Sequence, residues 1–334
     1  MPDDGSGRSP PQRTWYIILK GCIMEKDDLI AVIGAGGVLG NGILKALAAG
    51  GYTNVIAPPR SELDCSSLQL VDAWFSEKRP KYVFHLASLV YGLKGNLNNQ
   101  LKSLVENTEI ASNVIVSAEK YKISKIFYSG TVASYPYPYQ SMPLSEDQFW
   151  QGLPHAGEYG YAMAKRHAFA YLEVLRKNSG IDFCYGIFTN LYGINDRFDT
   201  EQGHVIPSLI AKAVSAKSFR KGVLKVWGRP ETTRDFLFGD DAGEAAVLAM
   251  NLYDGMINIS SGKETRMDQV AAAIAESVGG LSIEWDENAP VGIPNRVVCN
   301  ERLKALGFNE KNDLLSGIKA TVSWYEKNKG SVRA

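Results

Sequence analysis

The sequence predicts an α/β protein, a doubly wound parallel sheet with a smaller C-terminal α/β lobe, on three observations. Short apolar runs without polar alternation recur along the first 190 residues, the pattern of strands buried on both faces of a parallel sheet. Between them lie segments with apolar residues at helical spacing, so strand and helix alternate. The first apolar run ends in a glycine cluster that opens the first helix, the turn at which such a sheet holds a phosphate.

In chain order, strands are expected at LIAVIG (29–34), NVIA (54–57), YVFHLA (82–87), KIFYSG (125–130) and DFCYGIF (182–188), with helices over 40–50, 66–78, 98–121 and 159–178. After Asn190 the rhythm becomes irregular: loops, a helix near 205–217, then short helices and isolated strands over 260–330. The expected division gives residues 24–188, with about 232–258, to the nucleotide-binding domain, and 189–231 with 259–330 to a lobe that closes over it. Residues 1–23 open on Pro, Gly, Ser and Asp and read as a disordered leader or appended extension, with Met24 as the natural start.

A chain of 334 residues, 45% hydrophobic and with zero formal net charge, is long enough for this arrangement. No apolar run has the length of a membrane span, and Lys and Arg form no basic stripe, so neither membrane nor nucleic acid is an expected partner. The four cysteines have no metal-ligand spacing and are too few for a disulfide framework; free buried thiols in a reducing cytoplasm, and no metal site, are expected.

The glycine turn is Gly34-x-x-Gly37-x-x-Gly40, with Val38 and Leu39 inside it. Glycines there let backbone approach a pyrophosphate at a helix N-terminus. This is the Rossmann pattern, and it predicts a dinucleotide lying against Leu86 and Ala87 at the end of the third strand, with His85 packed beneath it. At the end of the second strand, Ala57-Pro58-Pro59-Arg60 puts an arginine about where the cofactor selector belongs. An arginine accommodates a 2′-phosphate where a carboxylate would bind a 2′-hydroxyl, so NADPH (NADP when oxidised) is favoured over NADH. Arg60 also reads as a solvated loop charge, and Asp64 as a group reaching the adenine edge.

Tyr161 and Lys165 stand one turn apart on one face of the 159–178 helix, and Thr131 ends the KIFYSG strand thirty positions earlier. A free phenol has a pKa of about 10. Proton donation near neutrality therefore needs a stabilised phenolate, which the Lys165 cation and an oxidised nicotinamide can provide. Thr131 would hold the same carbonyl oxygen. The bland alternatives are a solvated surface pair on the helix and a strand-end hydroxyl bonded to backbone.

With Thr131, Tyr161 and Lys165 in this order the chain resembles the extended short-chain dehydrogenase/reductases. Thr189-Asn190-Leu191-Tyr192-Gly193, Gly203-His204-Val205-Ile206-Pro207, Val226-Trp227-Gly228, Arg234-Asp235-Phe236-Leu237, the Arg60–Asp64 segment and Gly292-Ile293-Pro294 narrow the resemblance to the GDP-L-fucose synthase family. The resemblance implies NADPH-dependent reduction of the 4-keto group of a nucleotide-linked, GDP-borne 4-keto-6-deoxy sugar by a homodimer paired through the 98–121 and 159–178 helices. It gives Lys165 a second role on the cofactor and sets Arg234 and Asn190 at the substrate diphosphate. Trp227 lies at the substrate end or in the lobe core. In the family a cysteine two residues after the catalytic Ser or Thr works with the histidine of the HVIP segment to invert the carbons beside the ketone. His204 matches the histidine, but the cysteine position is Ala133, which can be neither acid nor base. Double inversion is thus in question, while reduction is untouched. Two alternatives stand beside this: an NAD-retaining nucleotide-sugar epimerase or dehydratase, and a non-catalytic dinucleotide sensor.

Overall fold

The computed structural model describes residues 22–200, 203–218, 222–286, 293–330 and 332. Most of the 1–23 segment and Gly292 lie outside the described residues. The first half alternates as expected: β1 (Ile30–Ile33), α1 (Val38–Ala49), β2 (Val55–Ile56), α2 (Leu68–Lys78), β3 (Tyr82–His85), α3 (Leu93–Asn98), α4 (Gln100–Lys120), β4 (Lys125–Thr131), α5 (Tyr159–Ser179) and β5 (Asp182–Phe188). The second strand is shorter than its apolar run because Pro58 and Pro59 follow almost at once and offer the sheet no N–H. The rest of the chain is β6 (Asn190–Tyr192), α6 (Val205–Ser218), β7 (Val223–Trp227), β8 (Thr233–Arg234), β9 (Phe236–Phe238), α7 (Gly239–Leu252), β10 (Gly255–Ile259), β11 (Thr265–Arg266), α8 (Met267–Val278), β12 (Ser282–Asp286), β13 (Asn295–Arg296), α9 (Glu301–Ala305) and α10 (Leu314–Asn328).

Six strands form one parallel sheet in the order β2-β1-β3-β4-β5-β10. β1 and β3 are buried at every position, which is why their sequences lack alternation. β10 had no distinct signal: five residues behind a Gly/Ala-rich helix, it is recognisable only by pairing with β5.

One face of the sheet carries α2, α4 and α5, with Val71, Phe75, Ile115 and Leu172 in its core; the other carries α1 and α7, with Ile43, Leu47, Ala246 and Met250. The second pair crosses backbone to backbone, since a Cβ on Gly42 would stand 2.0 Å from the Gly239 carbonyl oxygen. A third apolar core gathers Leu209, Ile210, Leu224, Val270, Ile274 and Ile318 from α6, β7, α8 and α10. It is tied to the sheet through Asp235, fully buried, whose carboxylate accepts from the Ser261 N–H and hydroxyl and from the Gly262 N–H. Burial pushes that carboxyl up to about 6 in spite of the three donors.

Candidate active site

The chain leaves β1 through α1 to β2 on one side, then crosses by α2 to β3 on the other. This reversal opens a crevice beyond the carboxyl ends of β1 and β3. Gly34 turns there with φ +87°, and a Cβ on it would lie 2.5 Å from the Ala87 nitrogen. The glycine turn therefore rests directly on the backbone of Leu86 and Ala87, the two residues expected to line the cofactor. At Gly40 a side chain would meet the Ala35 carbonyl oxygen at 2.5 Å. Helix α1 starts at Val38 with Gly37 as its N-cap, without a capping side chain or an acidic residue in its first turn. Its leading N–H groups, those of Val38 and Leu39 among them, have no partner within the helix and suit an anion. Residues and cradle fit a dinucleotide pyrophosphate.

Arg60 lies beyond β2 with its side chain 82% exposed, 3.5 Å from the Asp64 carboxylate. Asp64 accepts from the Ser66 N–H and hydroxyl, bonds that hold its carboxyl below the usual carboxylate range with help from Arg60. The Asp64 carboxylate is thus engaged in a local turn, whereas the Arg60 guanidinium touches it only at 3.5 Å and is otherwise largely exposed.

Tyr161 and Lys165 share one face of α5, the ammonium 5.7 Å from the phenol ring centroid. Lys165 is 1% exposed and donates to the Ser129 carbonyl at 2.8 Å. The solvated surface pair is thereby excluded. Burial alone brings this ammonium down to about 7. The phenol moves the other way, up to about 12, because burial outweighs the lowering effect of the Ser88 hydroxyl, and the Glu158 charge adds to the rise. Lys165 by itself thus leaves the phenol a weaker acid than in water, a difference from the expected tuning: its ammonium is turned to Ser129. Beneath, His85 is fully buried against Tyr128 and held neutral, down to about 3, by burial and then by the Lys165 charge.

Thr131 closes β4, between two residues bonded to α5: Ser129 through Lys165, and Ser134, whose hydroxyl donates to the Ala162 carbonyl at 3.4 Å. Its Oγ1 accepts from the Ala133 N–H at 3.2 Å, so the backbone bond of the bland reading does exist, and the hydroxyl proton stays available. Ala133 is buried, offering a methyl group at the point where the resembled family has a thiol. The neighbouring Arg166 is 3% exposed and donates to three carbonyls of the segment after β4, those of Ser134, Phe149 and Gly152, at 2.7–2.8 Å.

On the lobe side, β8 and β13 pair in parallel with Arg234 in register with Arg296. Arg296 is bound by Glu158 at 2.6 Å and by the Tyr139 hydroxyl at 2.7 Å. Arg234 donates to the Thr233 and Pro294 carbonyls and, among the described residues, forms no ion pair. Burial, then its neighbour Arg296, lowers Arg234 to about 10. Two guanidiniums side by side with one carboxylate between them leave a positive site matched to a diphosphate. Asn190 gives its side-chain N–H to the Asp235 carbonyl and links β6 to β9. Trp227 is 57% exposed, with the Lys212 ammonium 4.0 Å from its ring centroid, which rules out the lobe-core reading. His204 is exposed just ahead of α6, its Nδ1 3.9 Å from the carboxylate of Asp196. Of the thiols, Cys65 and Cys184 are buried as expected, whereas Cys22 is exposed and Cys299 partly so. Sequence reasoning missed Ser88, Glu158, Asp196 and Arg296, none of which stands in a spaced motif, although Arg296 follows Pro294 by two residues. Among the described residues no group of His, Cys, Asp and Glu is arranged to hold a metal, and no helix is long and apolar enough to cross a membrane.

Residues 30–260 match the model of the NAD dependent epimerase/dehydratase family. The chain is 32% identical over 307 residues to GDP-L-fucose synthase 1 of Arabidopsis thaliana, covering 91% of this chain and 95% of that one. It is 31% identical over 306 residues to the GDP-L-colitose synthase of Yersinia pseudotuberculosis, covering 90% and 99%. Among solved structures it is similar to MlghC, a GDP-mannoheptose C4 reductase from Campylobacter jejuni with NADP bound: TM-score 0.82, 26% identity, covering 91% of this chain and 99% of that one. A glycine turn on the switch-point crevice, a Tyr–Lys pair with its lysine buried and these likenesses lead to one assignment: the chain belongs to the NAD dependent epimerase/dehydratase family, among relatives of the GDP-L-fucose synthases.

Proposed function

We propose that the chain reduces the 4-keto group of a GDP-linked 4-keto-6-deoxy sugar with NADPH and does not carry out the double inversion of the fucose synthases. The observation that carries this reading is a division within one site. Tyr161 and Lys165 stand together at the crevice, while the position of the epimerising thiol holds the buried methyl of Ala133. When bound, NADPH supplies the hydride for C4. Gly34, Gly37, Val38, Leu39, Gly40, Leu86, Ala87 and Lys165 would hold it, with Arg60 on the 2′-phosphate. Tyr161 gives its proton to the keto oxygen, and Thr131 hydrogen-bonds that oxygen and fixes the carbonyl at attacking distance. Arg234, with Arg296 beside it, receives the diphosphate, and the open face of Trp227 receives the nucleotide end. The likeness to a C4 reductase supports the same reading.

A second reading has one observation in its favour: His204 lies beside Asp196, which can orient an imidazole as base for a single carbon. Residues 189–231 and 259–330 serve as the substrate lobe, and a cytoplasmic homodimer forms through α4 and α5, where Leu101, Val105, Val116 and Val174 are exposed.

The test is NADPH oxidation with a GDP-4-keto-6-deoxy sugar in deuterated water. We expect stoichiometric consumption of NADPH and no deuterium at C3 or C5. Deuterium at one carbon establishes the second reading, deuterium at both refutes the loss of double inversion, and no oxidation across a panel of 4-keto nucleotide sugars refutes the reductase.

A further inference from the structure

Tyr161 is the third residue of α5 and so lies in its first turn. Helix ends fray, and ordinarily the side chain at the N-cap steadies this turn by accepting one of its backbone N–H groups. Here the N-cap is Glu158, whose carboxylate makes no such bond and is bound to Arg296 at 2.6 Å. The acceptor comes from another helix. Gln100, the first residue of α4, takes the Gly160 N–H on its Oε1 at 2.6 Å and donates from its Nε2 to the Ala156 carbonyl at 3.0 Å. One carboxamide thus clasps both ends of the stretch 156–160, directly ahead of the phenol. The two helices also meet backbone to backbone at this point: a Cβ on Gly160 would stand 2.1 Å from the Gln100 carbonyl oxygen. The residue next to Tyr161 is therefore held by the side chain of Gln100 and seated on its main chain.

We propose that Gln100 is a positioning residue for the acid: it stands in for Glu158 as the cap of α5 and fixes the turn from which the Tyr161 phenol reaches the keto oxygen. Lys165 has no need of this clasp, since it lies one turn further along and is anchored by its own bond to the Ser129 carbonyl at 2.8 Å. The exchange of roles has a chemical reason. A Glu158 carboxylate spent on the Gly160 N–H would leave Arg296, buried on the lobe side, without its counter-ion, and a buried guanidinium without one is costly. With Gln100 as cap, the lobe keeps its ion pair and the catalytic helix keeps an ordered start. Proton transfer needs the phenol within hydrogen-bond reach of the keto oxygen, and a displacement of about 1 Å in such a geometry costs up to about a hundredfold in rate.

This inference rests on the proposed role of Tyr161 as the acid. Its test compares wild type with Gln100→Met, which keeps the bulk and loses both bonds, and with Gln100→Glu, which keeps an acceptor for the Gly160 N–H and loses the donor to Ala156. In the first measurement, kcat for keto-sugar reduction is taken per cofactor-binding site in water and in deuterated water. Gln100→Met is expected to lower kcat about tenfold with both KM values within about twofold, and to raise the solvent isotope effect on kcat, because a displaced acid makes proton transfer slower. A mere loss of folded protein lowers activity and leaves that isotope effect where it was. Gln100→Glu is expected to lie between the two on both counts. In the second measurement, hydrogen exchange is followed by mass spectrometry on peptides covering 156–161 and 170–179. Loss of the cap is expected to speed exchange about fivefold in the first peptide of Gln100→Met and to leave the second unchanged. A Gln100→Met protein with the kcat and isotope effect of wild type overturns the proposal, as does a fall in kcat with an unmoved isotope effect, or exchange that is unchanged at 156–161 or rises equally in both peptides. Absence of turnover in wild type refutes the reductase instead, and the exchange measurement then still decides whether Gln100 caps α5.

Discussion

Lys165 is an ammonium 1% exposed that, among the described residues, has one carbonyl partner and no carboxylate, which makes its replacement a quantitative test. Burial takes it from 10.5 to about 7. At 1.36 kcal/mol per pKa unit, this fall amounts to roughly 5 kcal/mol of unfavourable free energy for keeping the charged form in the fold. The sign follows from proton counting. Between pH 7 and 10.5 the unfolded chain holds a proton on this lysine that the folded chain has lost, so stability rises with pH across that window and the full penalty applies below it. Lys165→Met keeps the stem and removes the charge. It also loses the bond to Ser129, about 1.5–3 kcal/mol for a charged donor, so at pH 6.5 the variant is expected to be about 2–3 kcal/mol more stable than wild type. That advantage is expected to vanish toward pH 9.5, and the variant is expected to have lost keto reduction. Urea unfolding of the cofactor-free proteins at four pH values between 6.5 and 9.5 measures it. Parallel stability curves for the two proteins, or a wild type that loses relative stability as pH rises, refute the burial argument.

Tyr161→Phe is expected to lower kcat for keto reduction by about 10²–10⁴ with KM within a few-fold, measured by NADPH absorbance; a loss confined to KM refutes its role as acid. Arg60→Ala is expected to raise the KM for NADPH about tenfold and leave that for NADH alone, and equal effects on both cofactors would return Arg60 to a solvated loop charge. Glu158→Gln leaves the buried Arg296 without its counter-ion and is expected to destabilise the fold by about 3–5 kcal/mol near neutral pH, read from urea midpoints. Burial pushes the Glu158 carboxyl up, but Arg296 outweighs it and holds the group below the usual range. The stabilisation is therefore complete above about pH 4.5 and is lost as pH falls through the lowered value. A variant as stable as wild type at pH 7 refutes it.

The first half of the fold was legible because physics leaves its mark there on consecutive residues. A strand buried on both faces has to be apolar throughout, as β1 and β3 are, and a phosphate turn needs glycine where Gly34 meets Ala87. β10 wrote no such signal: Gly255–Ile259 is partly buried in its first two residues, and its place comes from β5. The site divides in the same manner. Tyr161 and Lys165 were readable because one helical turn relates them. Ser88, Glu158 and Arg296 were not, since each acquires its neighbour only when distant segments fold together: Ser88 and Asn107 are 19 residues apart, Glu158 and Arg296 138. Trp227 was ambiguous in sequence because an edge strand and a core strand both accept tryptophan, and its exposure settled the choice against the core.

The three carbonyls gripped by Arg166 bear on how molecules come and go. A guanidinium that ties Ser134, Phe149 and Gly152 to α5 turns that stretch of chain into a wall fixed to the same helix that carries Tyr161. Substitutions that hasten or delay product departure are therefore expected outside this wall, in segments that no such grip ties to α5.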